Sequence, residues 1–152
     1  VHFKDGAVVF YELGVFAEED LADDVAIIYT NPGNRKDYQK QYSKGEIKRE
    51  CFKNGKLTER DFKDGKSELY DEKGQIDQIN WPDGAIEAFE NGKLREKEFS
   101  EGGDVEREFY GPAGEVIQRN FRNEKMPHKT EWYANGKVVQ YRTWEGKVVQ
   151  VK

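Results

Sequence analysis

A turn signal recurs about every ten residues through most of this 152-residue chain. It consists of a glycine that follows a turn-forming residue and precedes an aliphatic residue by two positions, as in Asn54-Gly55-Lys56-Leu57 and Asn135-Gly136-Lys137-Val138. The glycines stand at positions 45, 55, 65, 74, 84, 92, 103, 114, 136 and 146, and Asn123-Glu124-Lys125 takes the place of the turn missing from the longest interval. Such a period indicates a repeat architecture whose units all fold in the same way.

Each unit has the composition of a strand that ends in a tight turn. Asn-Gly and Asp-Gly pairs supply the positive φ angles that a two-residue type I′ hairpin turn requires, and a period of about ten residues leaves about six for a strand. The sequence therefore predicts an all-β fold, an antiparallel meander of tandem β-hairpins with one strand per unit. We expect a single repeat domain over residues 1–152, with a regular array at 40–152 and an irregular part at 1–39 that holds one copy, Phe3-Lys4-Asp5-Gly6.

Apolar residues take two positions in each unit. An aliphatic residue follows the turn and an aromatic residue comes five positions later, as with Leu57 and Phe62 or Leu94 and Phe99. Because strand side chains alternate with a period of two, an odd offset puts such a pair on opposite faces unless a bulge intervenes. We therefore expect apolar stripes on both faces, and a single-layer or open, rolled sheet rather than a closed barrel.

Residues 16–30 depart from the repeat. Leu21, Val25 and Ile28 lie at helical spacing behind an acidic stretch, which is typical of a helix N-terminus and predicts a short helix near residues 17–28. Val25–Thr30 suits a strand equally well, with a turn at residues 31–34, and the sequence leaves both open. The acidic stretch lacks the alternating ligands and central glycine of a calcium loop, so we expect a solvated acidic face.

The charge balance excludes two classes of partner. The chain has 25 Lys and Arg against 30 Asp and Glu, a net charge of -5. Both signs are interspersed, as in Lys48-Arg49-Glu50 and Glu59-Arg60-Asp61, a pattern typical of a solvated surface with ion pairs. An acidic chain lacks the positive surface that binds phosphates, and no apolar run approaches the ~18 residues that span a bilayer. We therefore expect neither nucleic-acid binding nor membrane insertion.

The residues that usually carry catalysis or bind metals are few and scattered. Cys51 is the only cysteine, and His2 and His128 are the only histidines. None of them has a neighbour at the spacing of a metal site or of a nucleophile and its base, and the glycines never cluster as they do in a phosphate-binding loop. The sequence predicts a protein that is not an enzyme and uses no cofactor and no metal.

Aromatic residues make up 13% of the chain, which argues against disorder. Their regular recurrence indicates a ladder across the sheet, and one interpretation is a structural stripe that holds a thin sheet together. The other is a binding face, because aromatic side chains concentrate in the hot spots of interfaces. A protein partner is expected on this interpretation, and a glycan is the alternative. The candidate partner-binding residues are Trp81, Phe99, Phe109, Phe121, Trp132 and Trp144.

The repeat resembles the variant MORN repeat found in YwqK-like bacterial antitoxin proteins. The resemblance rests on Tyr42-Ser43-Lys44-Gly45-Glu46-Ile47 and the following Phe52-Lys53-Asn54-Gly55-Lys56-Leu57, with a further copy at Trp132-Tyr133-Ala134-Asn135-Gly136-Lys137-Val138. It covers roughly residues 40–152. What it implies is a β-hairpin protein of the bacterial cytoplasm that binds a protein partner, with neutralisation of a toxin as the specific role.

A second, shorter stretch resembles the YD repeat of RHS-type surface and toxin-encapsulating proteins. It consists of Tyr70-Asp71-Glu72-Lys73-Gly74-Gln75-Ile76 followed by Trp81-Pro82-Asp83-Gly84. This resemblance implies a structural or adhesive module of the cell envelope that binds a host protein, a glycan or a neighbouring subunit, and such a module requires an export signal or a lipid-anchor cysteine upstream of Val1. A meander also leaves two open edge strands, so pairing between copies of the chain is a further possibility.

Overall fold

The computed structural model of the chain describes residues 8–12, 15–20, 25–31 and 33–152. Within these ranges all regular structure is β, and no helix occurs, so the predicted all-β fold is confirmed. The strands are β1 (Val8–Glu12), β2 (Val15–Asp20), β3 (Val25–Tyr29), β4 (Tyr38–Tyr42), β5 (Ile47–Lys53), β6 (Lys56–Phe62), β7 (Ser67–Tyr70), β8 (Ile76–Asn80), β9 (Ile86–Glu90), β10 (Lys93–Glu98), β11 (Val105–Tyr110), β12 (Val116–Phe121), β13 (Thr130–Ala134), β14 (Lys137–Arg142) and β15 (Val148–Gln150).

The chain divides into two compact units, Val1–Ile76 and Asp77–Lys152. The first unit holds strands β1 to β7, and the second holds β8 to β15, with β8 beginning at the boundary. Within each unit every strand pairs antiparallel with the next strand along the chain. This is the predicted antiparallel hairpin meander. The boundary between the units lies within the predicted regular array rather than at its start.

The prediction of a helix near residues 17–28 is wrong for the described part of that segment. Val15–Asp20 forms β2 and Val25–Tyr29 forms β3, and β3 pairs residue by residue with β4, from Val25 opposite Tyr42 to Tyr29 opposite Tyr38. The β-branched residues of β3 favour this extended pairing. Residues 21–24 and the early repeat copy Phe3-Lys4-Asp5-Gly6 lie outside the described residues.

The turns fall into two kinds. Asn54, Asn91 and Asn135 have φ angles of 53°, 52° and 52°, and each is followed by a glycine of positive φ, which confirms the type I′ turn at the Asn-Gly pairs. The Asp-Gly pairs behave differently, because only Gly65 has a positive φ at Asp64-Gly65. There Asp64 Oδ1 accepts a hydrogen bond from the Lys66 amide at 2.9 Å, which closes a longer turn in which the aspartate keeps negative φ.

Bulges in the hairpins decide which face each apolar residue takes. In the β5–β6 hairpin the register shifts between Cys51 and Phe52, so Phe52 pairs with Leu57 and one extra residue, Thr58, lies in β6. Equivalent shifts follow the aliphatic residue of the β9–β10, β11–β12 and β13–β14 hairpins. Leu57 therefore shares a face with Phe52 and Phe62, so in this hairpin the bulge places the two apolar residues of a unit on one face rather than on opposite faces.

A row of alternating charges crosses each unit on this same face. Directly opposed residues on neighbouring strands carry opposite charges, so every cation lies beside a carboxylate. We call these residues the charge row. In the first unit the row is Lys40, Glu50, Arg60 and Glu68. In the second unit it is Glu87, Lys97, Glu108, Arg119 and Glu131.

Tyrosine hydroxyls complete the hydrogen bonding of the charge row. Arg119 Nε donates to Glu108 Oε1 at 2.7 Å, and Tyr110 donates to Glu108 Oε2 at 2.7 Å. In the same way Tyr133 donates to Glu131, two positions earlier on its own strand. The first unit repeats the pattern, with Tyr42, Glu50, Arg60, Tyr70 and Glu68 linked by hydrogen bonds of 2.5–3.2 Å.

The carboxylates of the charge row are less exposed than the charged side chains on the opposite face. Glu108 is 8% exposed, whereas Glu98, which bonds Arg107 at 2.9 Å on the opposite face, has a side chain 44% exposed. The sequence pattern indicated that the interspersed charges all lie on a solvated surface. The structure differs, because Glu50, Glu68 and Glu108 of the charge row are buried. A single-layer sheet has no second layer to cover it, and here long side chains of opposite charge cover one another.

Two tyrosines and two glutamates that join the charge row, Tyr42, Tyr70, Glu50 and Glu68, have shifted pKa values. Burial, followed by the hydrogen bond to Glu50, raises the pKa of Tyr42 to about 12, and burial with the Glu68 bond raises that of Tyr70 to about 12. Burial also acts to raise the pKa of Glu50, but hydrogen bonds from Tyr42 and Arg60 outweigh it and hold that pKa below its ordinary value. The pKa of Glu68 is lowered in the same way, because hydrogen bonds from Tyr70 and Lys66 outweigh the effect of burial.

These shifts predict stability limits at both ends of the pH range. The neutral phenols stabilise the fold fully below their ordinary pKa of 10.0, and this contribution is lost as pH rises towards about 12. The lowered carboxylates stabilise it above their ordinary pKa of 4.5, and this contribution is lost as pH falls through their folded values. We expect the urea midpoint to be highest between about pH 5 and about pH 10. Tyr42→Phe should reduce the loss of stability above about pH 10. An unchanged loss would contradict the conclusion that the Tyr42 hydroxyl contributes to it.

Candidate functional site

The six aromatic residues predicted to bind a partner do not share one surface. Phe109 and Trp132 lie on the face opposite the charge row, one on either side of Gln118, whose Oε1 accepts the Trp132 indole at 2.9 Å. Phe121 is 5% exposed and belongs to the core. Trp144 is half-buried, and its indole donates to the Met126 carbonyl at 2.8 Å. Of these four residues only Phe121 is buried in the core, and partner binding by Phe109, Trp132 and Trp144, which are half-buried, stays a prediction.

Trp81 and Phe99 are the two that come together. They line one cavity of about 530 Å³ in the second unit, between the β8–β9 turn and the end of β10. Trp81 is 38% exposed, one of the few large apolar side chains in the described chain with that much accessible surface. The residues that line the cavity are Trp81, Pro82, Asp83, Ala85, Lys97, Phe99 and Ser100.

The β8–β9 turn holds Trp81 in place through three hydrogen bonds. The Trp81 amide donates to the Ala85 carbonyl at 2.9 Å, and the Gly84 amide donates to the Trp81 carbonyl at 3.0 Å. Asp83 Oδ1 accepts the Ala85 amide at 3.0 Å. Pro82 follows Trp81 at the position where its fixed φ suits a turn of this kind. The indole therefore projects from a backbone that is already ordered.

The wall of the cavity opposite Trp81 is formed by Phe99 and its neighbours, which contact Lys97 of the charge row and Arg122. Lys97 Nζ bonds Glu87 Oε1 at 2.8 Å and lies 5.4 Å from the Phe99 ring centre, so its charge is paired and its stem packs on the aromatic ring. Arg122 donates to the carbonyls of Phe99 and Ser100, each at 2.9 Å. These contacts fix the backbone at the mouth of the cavity.

A second cavity of about 810 Å³ adjoins the first and has a different lining. It shares Asp83, Phe99 and Ser100 with the first cavity, so the two adjoin at these residues, and we call them together the groove. We call the part around Trp81 and Phe99 the apolar half and the second cavity the acidic half. Among the described residues, the carboxylates that line the acidic half are Asp83, Glu98, Glu101 and Glu106, and the only cation that lines it is Arg122.

The carboxylates of the acidic half are mostly without ionic partners. Glu98 pairs with Arg107 at 2.9 Å. Among the residues that the structure describes, no lysine or arginine lies within 4.0 Å of a carboxylate oxygen of Asp83, Glu101 or Glu106. This half of the groove therefore carries an excess of negative charge.

The sequence pointed to part of this groove. Trp81 and Phe99 were candidates, but Arg122 and the acidic residues Glu101 and Glu106 were not. Arg122 is separated from Phe99 by more than twenty positions along the chain, and only the pairing of β10, β11 and β12 brings the two together. The local signal available was Trp81-Pro82-Asp83-Gly84, an aromatic residue at the base of an unusually rigid turn.

No family model matches the chain, and no curated protein matches it. Three solved structures resemble it weakly. The TCP10 domain of Danio rerio CPAP is 18% identical, with a TM-score of 0.38 over 99% of this chain and 96% of that one. The GtfA/B complex is 16% identical, with a TM-score of 0.34 over 71% of this chain and 20% of that one.

The third is the TCP domain of SAS-4 (dCPAP) of Drosophila melanogaster, in complex with a proline-rich motif of Ana2 (dSTIL). It is 14% identical, with a TM-score of 0.31 over 99% of this chain and 76% of that one. TM-scores below 0.5 and identities of this size support no conclusion about function.

Over the described ranges, no three His, Cys, Asp or Glu side chains are grouped so that they could hold a metal ion. No helix in that part of the chain is long and apolar enough to cross a membrane. Cys51 lies half-buried in β5, and burial raises the pKa of its thiol, which disfavours the thiolate form that acts as a nucleophile.

Proposed function

We propose that this chain is a non-catalytic β-hairpin repeat module that binds a protein partner, and that the groove beside Trp81 and Phe99 is where it binds. The observation that carries the proposal is a preformed cavity of about 530 Å³ with an accessible tryptophan on one wall and a phenylalanine on the other. Tryptophan is the residue most enriched in interface hot spots, because it buries a large area with few rotatable bonds. A groove whose walls are held by turn and ladder contacts needs little reordering on binding.

The more specific role that we propose is that of an antitoxin or immunity protein. The resemblance of the hairpin units to the variant MORN repeat supports this role. For a protein with this role, we expect the partner to be a cytosolic protein that binds tightly and in a stoichiometric complex. A partner found only in the cell envelope would instead favour the structural or adhesive module that the YD-like stretch suggests.

The proposed function predicts that Trp81→Ala weakens binding while the fold survives. Truncation of a hot-spot tryptophan typically costs about 2 kcal/mol or more, which is a loss of about thirtyfold in affinity. Because Trp81 is 38% exposed at a turn, the thermal midpoint should change little. Val139→Ala is the control, since Val139 has a similar exposed fraction of 39% and lies outside the groove on β14.

The measurement has two stages. Tagged wild-type chain and both variants are incubated with cytosolic and envelope fractions of the source, and a protein retained by the wild type is then purified. Calorimetric titration of that protein against all three chains gives the affinities. Equal affinity for the wild-type and Trp81→Ala chains would exclude the groove as the binding site.

A further inference from the structure

The two halves of the groove differ in chemistry and share a border. We infer that the groove takes an extended, positively charged segment of the partner, with an apolar side chain against Trp81 and Phe99 and a lysine or arginine in the acidic half. The inference rests on the proposed function, because it names the chemistry of the partner at the same site.

The charges of the acidic half select a cation. Four carboxylates line it, and the one guanidinium among them, that of Arg122, points two of its nitrogens at backbone carbonyls. Only Glu98 has a cationic partner among the described residues, namely Arg107. An acidic segment would be repelled here, and a basic one is both attracted on approach and paired once bound.

The apolar half has no unpaired positive charge among its described lining residues that would repel a basic ligand. The one cation in its lining, Lys97, is already paired with Glu87 at 2.8 Å and packs along the Phe99 ring. The Lys97 ammonium is therefore already neutralised by Glu87 within the charge row. The methylene groups of Lys97 add apolar surface to this half of the groove. The indole of Trp81 and the ring of Pro82 complete a surface suited to an aromatic or branched aliphatic side chain.

The geometry sets the spacing of the two side chains. The cavities share Asp83, Phe99 and Ser100, so one extended segment that crosses these residues contacts both cavities. An extended segment advances about 3.3 Å per residue and points alternate side chains to the same side. An apolar residue and a basic residue two positions apart therefore fill both halves at once.

A neutral glycan is the other class of ligand that stacks on tryptophan. It would gain from the apolar half but not from the uncompensated carboxylates, so its affinity would not depend on them. The dependence of binding on the charge of Glu101 and Glu106 is thus the property that separates the two classes. Both residues are exposed and line the acidic half, so their replacement leaves the sheet intact.

The test uses a phage-displayed library of random linear peptides, panned on the full chain. Enriched peptides are synthesised and titrated against the wild type, Trp81→Ala, the double variant Glu101→Lys/Glu106→Lys, and the control Glu72→Lys/Glu90→Lys. The control makes the same change in net charge at exposed carboxylates outside the groove, with Glu90 at the far end of β9. A neutral glycan array is probed with the same four chains.

We expect enriched peptides to carry Lys or Arg within about two positions of an aromatic or branched aliphatic residue. Their affinity should fall at least about tenfold with Trp81→Ala and at least about fivefold with the groove charge reversal, and should be nearly unchanged in the control. Peptides sensitive to Trp81→Ala but indifferent to the charge reversal would overturn the inference and leave the proposed function standing. Glycan retention with that same pattern would also overturn the inference, and binding that is insensitive to Trp81→Ala would overturn both.

Discussion

Arg119→Met is expected to lower the free energy of unfolding by about 3–5 kcal/mol, because it leaves a buried carboxylate without its cation. Glu108 is 8% exposed and accepts hydrogen bonds from Arg119 Nε and from Tyr110, both at 2.7 Å. Methionine keeps much of the length of the side chain but donates no hydrogen bond, so the loss reports mainly on the ion pair. Urea unfolding followed by tryptophan fluorescence measures the change.

A matched control lies on the opposite face of the same sheet. Arg107 forms ion pairs with Glu96 and Glu98 at 3.1 Å and 2.9 Å, and its side chain is 38% exposed. Because exposed pairs contribute about 1 kcal/mol or less, Arg107→Met should destabilise far less than Arg119→Met. Equal losses would show that burial of the charge row is not what stabilises it. Adding Glu108→Gln to Arg119→Met should recover part of the loss, since it removes the orphaned charge.

Phe121→Ala should destabilise the second unit by about 3–5 kcal/mol, the usual consequence of truncating a buried phenylalanine. Phe121 is one of two buried hydrophobic residues among the described part of the chain, at 5% exposed, and its amide bonds the Lys129 carbonyl at 2.9 Å. The aromatic ladder is thus structural at this position. In a thin sheet few neighbours can move in to fill the space that the ring leaves.

Ile117→Ala on the same strand provides the comparison for Phe121. Ile117 is 40% exposed and occupies the bulge of β12, so its truncation should change the free energy of unfolding by about 1 kcal/mol or less. Both variants are compared with the wild type by chemical denaturation at neutral pH. A Phe121→Ala chain as stable as Ile117→Ala would contradict the assignment of Phe121 to the core.

The Asn-Gly turns could be predicted because their cause is local. Asn54-Gly55 needs two consecutive positive φ angles, and Asn and Gly are the residues that adopt them most easily. At Asp64-Gly65 the local rule was incomplete, because the aspartate carboxylate captures the Lys66 amide and selects another turn. The side-chain hydrogen bond competes with the backbone geometry, and composition alone does not weigh the two.

The faces of the sheet could not be predicted from alternation. An offset of five between Leu57 and Phe62 puts them on opposite faces in a regular strand, but the extra residue Thr58 restores them to one face. A bulge depends on the register of the whole hairpin, which long-range pairing sets. The segment Val25–Tyr29 was decided in the same way, since its neighbour β4 selected the strand over the helix.

The sequence carries one local signal for the charge row. Glu68-Leu69-Tyr70, Glu108-Phe109-Tyr110 and Glu131-Trp132-Tyr133 share one pattern, a glutamate two positions before a tyrosine. Two positions apart on a strand means the same face, where each hydroxyl donates to its glutamate. The partner cations lie on other strands, so the pattern indicates a pair but not the row.

The sequence by itself determined the period, the strands of the regular array, the positions of their turns and the antiparallel order, because each of these follows from interactions within about ten residues. Only the tertiary structure decided which side chains share a face, which carboxylates are buried, and that Trp81, Phe99 and Arg122 border one groove. The reason is physical. Register between strands sums many weak cross-strand contacts, and no single segment carries the information that places a residue beside its partner.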